Sequence, residues 1–178
     1  AFEPLPSCKN KLINIENEKG NITYFPFALG NENTKKKFNI SSWAPSSSFL
    51  PMGNSHKTAY PHSADSKEIE VECKKLDSLL SLNDIEDSLM IKIDVQGFEK
   101  YVIEGGNKLF KKASIIIIEM SYIELYEDEP LFDEIYKLIT NLGFNYAGSL
   151  KQSESKKNNV CLQNDGIFIN KKIKLNEF

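Results

Sequence analysis

The chain has 178 residues, of which 40% are hydrophobic and 26% are charged, and its net charge is −3. This length suits one domain with a sizeable core, and the composition is ordinary for a globular protein. The slightly acidic balance argues against a broad nucleic-acid surface. The longest apolar run, Ile115–Ile118, is far too short to cross a bilayer. We therefore expect neither a nucleic-acid partner nor a membrane segment.

All 22 basic residues are lysine, so the chain lacks the guanidinium fork that recognises phosphate or carboxylate with two parallel hydrogen bonds. The three cysteines, Cys8, Cys73 and Cys161, are far apart in the sequence and form no pair with zinc-site spacing. Scattered cysteines of this kind favour a reducing compartment, and we expect the protein to be cytoplasmic.

The first residues, AFEP, are interpreted as the end of a strand with Glu3 at its tip, because two prolines follow and block further pairing. Apolar residues recur at helical spacing over Ser7–Lys19, which predicts an amphipathic helix that ends at a glycine. The β-branched and aromatic residues of Asn21–Leu29 predict a strand, although its proline suggests an edge position or a bulge.

The next part of the chain is interpreted as an insertion, at about 38–75, in a single domain that spans the whole sequence. A short strand is predicted over Lys37–Ile40. Ser41–Ser66 is rich in Ser, Pro and Asn and has no periodicity; loops of this length are usually functional or disordered. Lys67–Cys73 alternates between apolar and acidic residues, which predicts a half-exposed strand before a short helix over Leu76–Leu82.

The central stretch of the sequence is Ser88–Glu99, SLMIKIDVQGFE. Its first half is apolar on both faces, which is typical of a covered strand in an α/β sheet, and Gly97 marks a turn into a helix. Asp94 follows near the carboxyl end of this strand, where open α/β sheets place their ligands. The alternative is that Asp94 caps the following helix, and the pattern does not separate the two.

The remaining segments continue the alternation of strands and helices, which predicts an α/β fold with a mostly parallel sheet covered on both faces. The last strand is expected to form an antiparallel hairpin with the strand before it. The predicted segments are a strand at Ser114–Met120, a helix between Pro130 and Gly143, a strand at Phe144–Leu150, a polar loop at Lys151–Asp165 and a strand at Gly166–Asn170.

Asp94 and Glu119 each come at the end of a buried strand. If these strands are neighbours, about 4.8 Å apart, the two acids meet at one edge of the sheet. Such a pair could orient a substrate, hold a divalent metal or act as a base, or each acid could simply bind a nearby loop. Lys92 could neutralise one of them or extend into solvent. Glu3, at the tip of its strand, could accept hydrogen bonds from ribose hydroxyls.

Two histidines, His56 and His62, lie in the long loop and either could act as a general base, although loop histidines more often have no chemical role. The sequence contains no G-x-G-x-x-G motif, no P-loop and no G-x-S-x-G motif.

Several short motifs occur in a characteristic order. They are AFEP at Ala1–Pro4, ALG at Ala28–Gly30, LDSLL at Leu76–Leu80, IKIDVQGFEKYVIEGG at Ile91–Gly106 and IIIIEMS at Ile115–Ser121. Together they closely resemble the FkbM family of S-adenosylmethionine-dependent methyltransferases, from Ala1 to about Asn170. The resemblance implies a Rossmann-like class I methyltransferase fold with a final antiparallel hairpin.

The sequence departs from the family pattern in two places. Gln96 stands where the family usually has Glu, and the first strand with its glycine-rich loop is absent, because the sequence starts at the second strand. We therefore expect a fragment of a longer protein, with weak or no cofactor binding by this chain alone.

The resemblance also implies roles for individual residues. With S-adenosylmethionine as the cofactor, Glu3 in the AFEP motif would bind the ribose and Phe27–Leu29 would line the adenine. Asp94 would lie under the methionine end. The expected cofactor-binding set is Glu3, Pro4, Phe27, Ala28, Leu29, Ser48 and Asp94. Glu119 matches the family's acid after the fifth strand, and Lys92 is added from its place beside the two acids, so the expected catalytic set is Asp94, Glu119 and Lys92, with no metal ligand.

The first hypothesis for function is therefore O-methylation of a small-molecule or carbohydrate acceptor. The alternative is a non-catalytic Rossmann-like module for binding or assembly that has lost its cofactor. A third hypothesis is a magnesium-dependent enzyme that uses Asp94 and Glu119. The sequence leaves the acceptor and the oligomeric state open.

Overall fold

The computed structural model describes residues 1–85 and 88–173. The α-helices in this part of the chain are α1 (Pro6–Lys19), α2 (Asn54–Ala59), α3 (Glu99–Gly105), α4 (Asn107–Lys112) and α5 (Phe132–Asn141). The strands are β1 (Ala28–Leu29), β2 (Thr34–Ser41), β3 (Ser66–Lys74), β4 (Met90–Ile93), β5 (Ile115–Ser121), β6 (Phe144–Glu154) and β7 (Cys161–Asn170). Short 3₁₀ turns lie at Ala44–Ser46, Pro61–Ser63, Leu76–Ser78 and Leu82–Asp84.

The strands form two sheets, one with the order β1-β3-β2 and one with the order β4-β5-β7-β6. The mixed α/β class is confirmed, and so is the C-terminal hairpin of β6 with β7. The expectation of one mostly parallel sheet is wrong, because only β1–β3 and β4–β5 are parallel among the strand pairs in the described residues. The reason is that β3 pairs antiparallel with β2 after the insertion between them, and that β7 lies between β5 and β6 and is antiparallel to both.

The main hydrophobic core lies against the four-stranded sheet. β5 pairs with a neighbour on each side; within its run of isoleucines Ile116 and Ile118 are fully buried, and Ile115 and Ile117 on the other face are partly buried. They pack in one cluster with residues of α3, α4 and α5, including Ile103, Phe110 and Ile139. A central strand that packs on both faces needs apolar residues at every position. The packing of this core fixes where β4 and β5 end.

The predicted strand over Asn21–Leu29 is present only in part. Phe25 forms a single bridge with Phe2, and regular pairing begins at β1. Pro26 interrupts the ladder because it has no N–H to donate. The aromatic residues that suggested a strand instead pack on one another, with the rings of Phe2 and Phe25 stacked at 4.8 Å and those of Phe25 and Phe27 5.7 Å apart.

The predicted polar loop over Lys151–Asp165 is wrong, since β6 and β7 run through most of it. The part of this hairpin next to its turn is stabilised by backbone pairing rather than by burial of an apolar face. Its sequence therefore lacks the alternation of apolar and polar residues from which a strand is predicted. Gln163 and Asn164 are buried in it although both are polar.

The long segment 41–66 is folded rather than irregular and packs on the loop that follows β5. Met52 forms a β-bridge with Tyr126, and the N–H of Gly53 donates to the carbonyl of Leu125 at 2.8 Å. Met52, Leu125, Tyr126 and Leu162 share a small buried cluster. The insertion is thereby held next to the carboxyl ends of β4 and β5. None of the described helices has the length and apolarity that crossing a bilayer requires.

Candidate active site

A tight turn follows β4 and presents Asp94 and Gln96. Gln96 and Gly97 both have positive φ, 55° and 90°, which is an uncommon conformation for a residue with a side chain. The carboxylate of Glu99 accepts the N–H of Val95 at 3.0 Å and that of Gly97 at 3.3 Å. Glu99 is only 4% exposed, and burial raises its pKa to about 8. This buried acid holds the turn in place.

Three carboxylates converge at this end of the sheet. Single oxygens of Asp94, Glu119 and Asp165 all lie within 4.8 Å of one another. Asp94 and Glu119 meet because β4 and β5 are parallel neighbours, and Asp165 joins them because it is the register partner of Glu119 on β7. Three such oxygens could also bind a divalent cation. The sequence indicated the first two acids, but it placed Asp165 in a loop.

Side-chain amides and one lysine hold these carboxylates. Gln96 Nε2 donates to Asp94 Oδ1 and to Glu119 Oε2, both at 2.8 Å, and Gln163 Nε2 donates to the same Glu119 oxygen at 2.9 Å. Lys92 Nζ lies 2.9 Å from Asp94 Oδ2. A carboxylate at position 96 could not donate these bonds, so the amide is suited to a site crowded with acids.

The charged side chains in this group shift one another's pKa values. Burial, with the nearby charge of Asp94, raises the pKa of Glu119 to about 8. Burial alone would lower the pKa of Lys92, but its hydrogen bond and attraction to Asp94 leave that pKa above its usual value. Near neutral pH, therefore, Glu119 retains a proton in much of the population, whereas Lys92 remains a cation beside Asp94.

Tyr126 links the insertion to this turn. Its hydroxyl lies 3.0 Å from the carbonyl oxygen of Ser46, 2.9 Å from Gln96 Oε1 and 3.2 Å from His56 Nε2. Burial raises the pKa of Tyr126 and lowers that of His56, so both stay neutral. His56 is only 2% exposed and acts as a support for Tyr126. The ring of His62 instead meets the edge of Trp43.

Two further buried groups hold the loops around the site. Ser48 Oγ donates to the backbone carbonyl of Gln96 at 2.6 Å. Glu129 accepts the N–H groups of Leu125 and Tyr126 and the hydroxyl of Ser121. The role of Glu129 was not predictable from the sequence, because Leu125 and Tyr126 lie on a loop with no periodic pattern.

A first cleft of about 550 Å³ lies between residues 1–5 and β4. The residues with predicted roles that line it are Glu3, Pro4, Ala28, Leu29, Lys92 and Asp94. Phe27 and Ser48 are not among the described residues of its lining: Phe27 packs on Phe2 and Phe25, and Ser48 binds the turn. Glu3 Oε1 accepts the N–H of Leu5 at 2.8 Å, and burial raises the pKa of Glu3.

A second cleft of about 300 Å³ lies on the other side of Asp94 and is mostly polar. Its lining includes Trp43 of the insertion, Glu119 of β5 and Gln163 of β7. Asp94 and Gln96 line both clefts. The turn after β4 is therefore the boundary between a large, largely apolar cleft that contains Glu3 and a smaller polar one.

Comparison with known proteins gives one family. The family model described as the Methyltransferase FkbM domain matches residues 1–146. The 2-O-methyltransferase NoeI of Sinorhizobium fredii (strain NBRC 101917 / NGR234) is 30% identical over 136 residues, which cover 72% of this chain and 56% of that protein. The chain thus spans little more than half the length of the curated relative that it matches. No solved structure matches the chain significantly. Since the family match covers well over half of the sequence, the chain belongs to the FkbM methyltransferase family.

Proposed function

We propose that this protein transfers a methyl group from S-adenosylmethionine to an oxygen atom of a small-molecule or carbohydrate acceptor. The observation that carries the proposal is that two clefts meet at Asp94 and Gln96. Group transfer requires two ligands to be held against each other at one point, and such positioning supplies much of the rate enhancement. Membership of a methyltransferase family supports the same reaction class.

The first cleft suits the methyl donor. Glu3 offers a carboxylate, which can accept two hydrogen bonds from the vicinal hydroxyls of a ribose. Ala28 and Leu29 offer apolar surface for a base, and Asp94 offers a negative charge. The donor, when bound, supplies a methyl group on a positively charged sulfur. The lining thus combines the features needed for a nucleoside and for a cationic centre.

Asp94 is the residue that we assign as the proton acceptor. Transfer would form the bond between the acceptor oxygen and the methyl carbon and break the bond from that carbon to sulfur, with a neutral thioether as the leaving group. The hydroxyl proton must also leave, and a carboxylate within hydrogen-bond reach can take it. Lys92 forms an ion pair with Asp94, and Gln96 holds Asp94 and Glu119 in fixed orientations. Glu119 is assigned a positioning role beside Asp94, since its raised pKa leaves it partly protonated near neutral pH.

Calorimetric titration of the full-length gene product with S-adenosylmethionine tests the proposal. We expect saturable binding, and we expect Glu3→Ala to weaken it by about 10- to 100-fold, because hydrogen bonds to a charged group are worth about 1.5–3 kcal/mol. Glu104→Ala is the matched control, since Glu104 is an exposed acid that binds Asn31 and lines neither cleft. Absence of binding, or equal binding by the Glu3 variant, would contradict the proposal.

A further inference from the structure

The second cleft contains a large aromatic side chain that is exposed yet held in place. Trp43 is the one tryptophan of the chain, and it is 53% exposed. Its backbone is fixed, since the backbone N–H of Trp43 donates to Ser41 Oγ at 3.1 Å and its carbonyl accepts the N–H of Ser46 at 2.9 Å. The ring of His62 packs against the indole at an interplanar angle of 75°, with centroids 5.8 Å apart. An exposed aromatic side chain at the wall of a cleft, on a fixed backbone, is a typical ligand platform.

The other walls of this cleft are polar. Asp94, Glu119 and Asp165 contribute carboxylates, and Gln152 and Gln163 contribute amides. Carboxylates accept hydrogen bonds from hydroxyl groups, and amides both donate and accept them. A fully apolar ligand would leave these groups without partners once water is displaced, which costs free energy. The cleft therefore suits a ligand with an apolar face for the indole and several hydroxyl groups for the remaining walls.

The balance of charge in the cleft further restricts the class of ligand that it can bind. The cleft is lined by three acids and by Lys151, and the nearby Lys92 is paired with Asp94. No arginine occurs in the chain. Even with Glu119 partly protonated, Asp94 and Asp165 match the two lysines in number, so no surplus positive charge remains to bind a phosphate or carboxylate group.

We propose that the second cleft binds an uncharged carbohydrate, with one face of the sugar ring stacked on Trp43 and its hydroxyl groups directed to the carboxylates and amides. A pyranose ring presents C–H groups on one face, which suit the electron-rich face of an indole. The assignment rests on the proposed function, because the cleft shares Asp94 with the cleft assigned to the donor. The hydroxyl nearest Asp94 is the one that becomes methylated.

Fluorescence titration tests this directly and requires no methyl donor. Trp43 is the one tryptophan of these 178 residues, so in this chain its emission reports on this cleft alone. We expect at least one of methyl glucoside, methyl mannoside and methyl galactoside to change the emission saturably. Glucose 6-phosphate should bind at least about 5-fold more weakly, because it carries the charge that the cleft cannot neutralise. A lack of response to all three glycosides, or tighter binding of the phosphorylated sugar, overturns the assignment.

Variants of Trp43, tested by calorimetry, distinguish the loss of a stacking contact from a general loss of structure. Trp43→Ala should weaken binding of the responding glycoside by about 10-fold or more, whereas Trp43→Phe, which keeps a ring, should stay within about 3-fold of the wild type. Tyr136→Ala is the control, since Tyr136 is an exposed aromatic of α5 that lines neither cleft. If the two Trp43 variants bind alike, the stacking role is wrong.

A parallel titration with S-adenosylmethionine distinguishes the two proposals. We expect Trp43→Ala to leave donor binding unchanged, because Trp43 does not line the first cleft. A wild-type protein that binds the donor but none of the glycosides contradicts the carbohydrate assignment alone. A full-length gene product that does not bind the donor contradicts the proposed function itself.

Discussion

Two groups of acidic residues lie within a few ångströms of the same turn and have opposite surroundings. Glu99 and Glu129 are buried and accept backbone N–H groups of their neighbouring loops. Asp94 and Glu119 are bound by side-chain groups, Gln96 above all, and line the clefts. The two groups differ in their hydrogen-bond partners rather than in their positions after a strand. Acids that bind backbone N–H groups stabilise the loops of the site, whereas acids that bind side chains line the clefts.

Exposure supports the same distinction. The side chain of Asp94 is 43% exposed and Glu99 is 4% exposed, although they are only five residues apart in the sequence. A buried carboxyl group whose hydrogen bonds go to backbone donors stabilises its loop and is not accessible to a ligand. We therefore expect substitutions in the two groups to affect different measurements.

The largest effect is expected for Asp94→Asn. Removing the proposed proton acceptor should lower the rate of methyl transfer by about 10²- to 10⁴-fold, the usual contribution of a general base. The melting temperature should change by no more than about 2 °C, because the side chain is partly exposed. Asp133→Asn is the control, since Asp133 is an exposed acid of α5 that pairs with Lys137. Retention of more than a tenth of the rate would show that Asp94 is not the base.

The next effect concerns stability. Glu99→Ala leaves the N–H groups of Val95 and Gly97 without their acceptor, and we expect a loss of about 2–4 kcal/mol in the free energy of unfolding. Glu99→Gln keeps an oxygen that can accept these bonds and should lose less than half as much. Urea denaturation measures both variants. Equal losses would mean that the side chain fills space rather than holding the turn.

The smallest effect is a pH dependence of stability. The pKa of Glu99 is raised from 4.5 to about 8, so the folded state binds its proton more tightly than the unfolded state does. The associated stability is complete below about pH 4.5 and is lost as the pH rises toward 8; Glu119 acts in the same direction. We expect the melting temperature to fall by at least about 2–4 °C between pH 5 and pH 8.

Glu99→Gln supplies the check on that result, because its amide cannot titrate. The fall in melting temperature between pH 5 and pH 8 should become shallower in this variant. A melting temperature that rises over this interval, or an identical slope in the variant and the wild type, would show that the buried acids are ionised throughout.

The sequence indicated part of this site because some of its signals are local. Asp94 and Glu119 each follow an apolar run that could only be a covered strand, and neighbouring parallel strands bring their ends together. Asp165 and Gln163 could not be identified, since the segment that contains them has no apolar alternation. Their position depends on the pairing of β7 with β5, which joins residues more than 40 positions apart.

The fold, too, was predictable only where the sequence signal is local. Short periodic patterns predict the strands β3 and β5 and the helix α3. They do not predict that the strands form two sheets, because this depends on which strands pair over long distances in the sequence. The contact of His56 with Tyr126 is of this kind as well: it joins residues 70 positions apart in the sequence, and neither residue has a local signal.

The wall that carries Trp43 comes from the insertion, whereas the carboxylates come from the residue after β4 and from within β5 and β7. If the second cleft binds the acceptor as proposed, recognition and chemistry are encoded in separate stretches of the gene. Mutations in the insertion would then exchange one acceptor for another while the reacting groups on the sheet stay the same. Diversification of products would require no redesign of those groups.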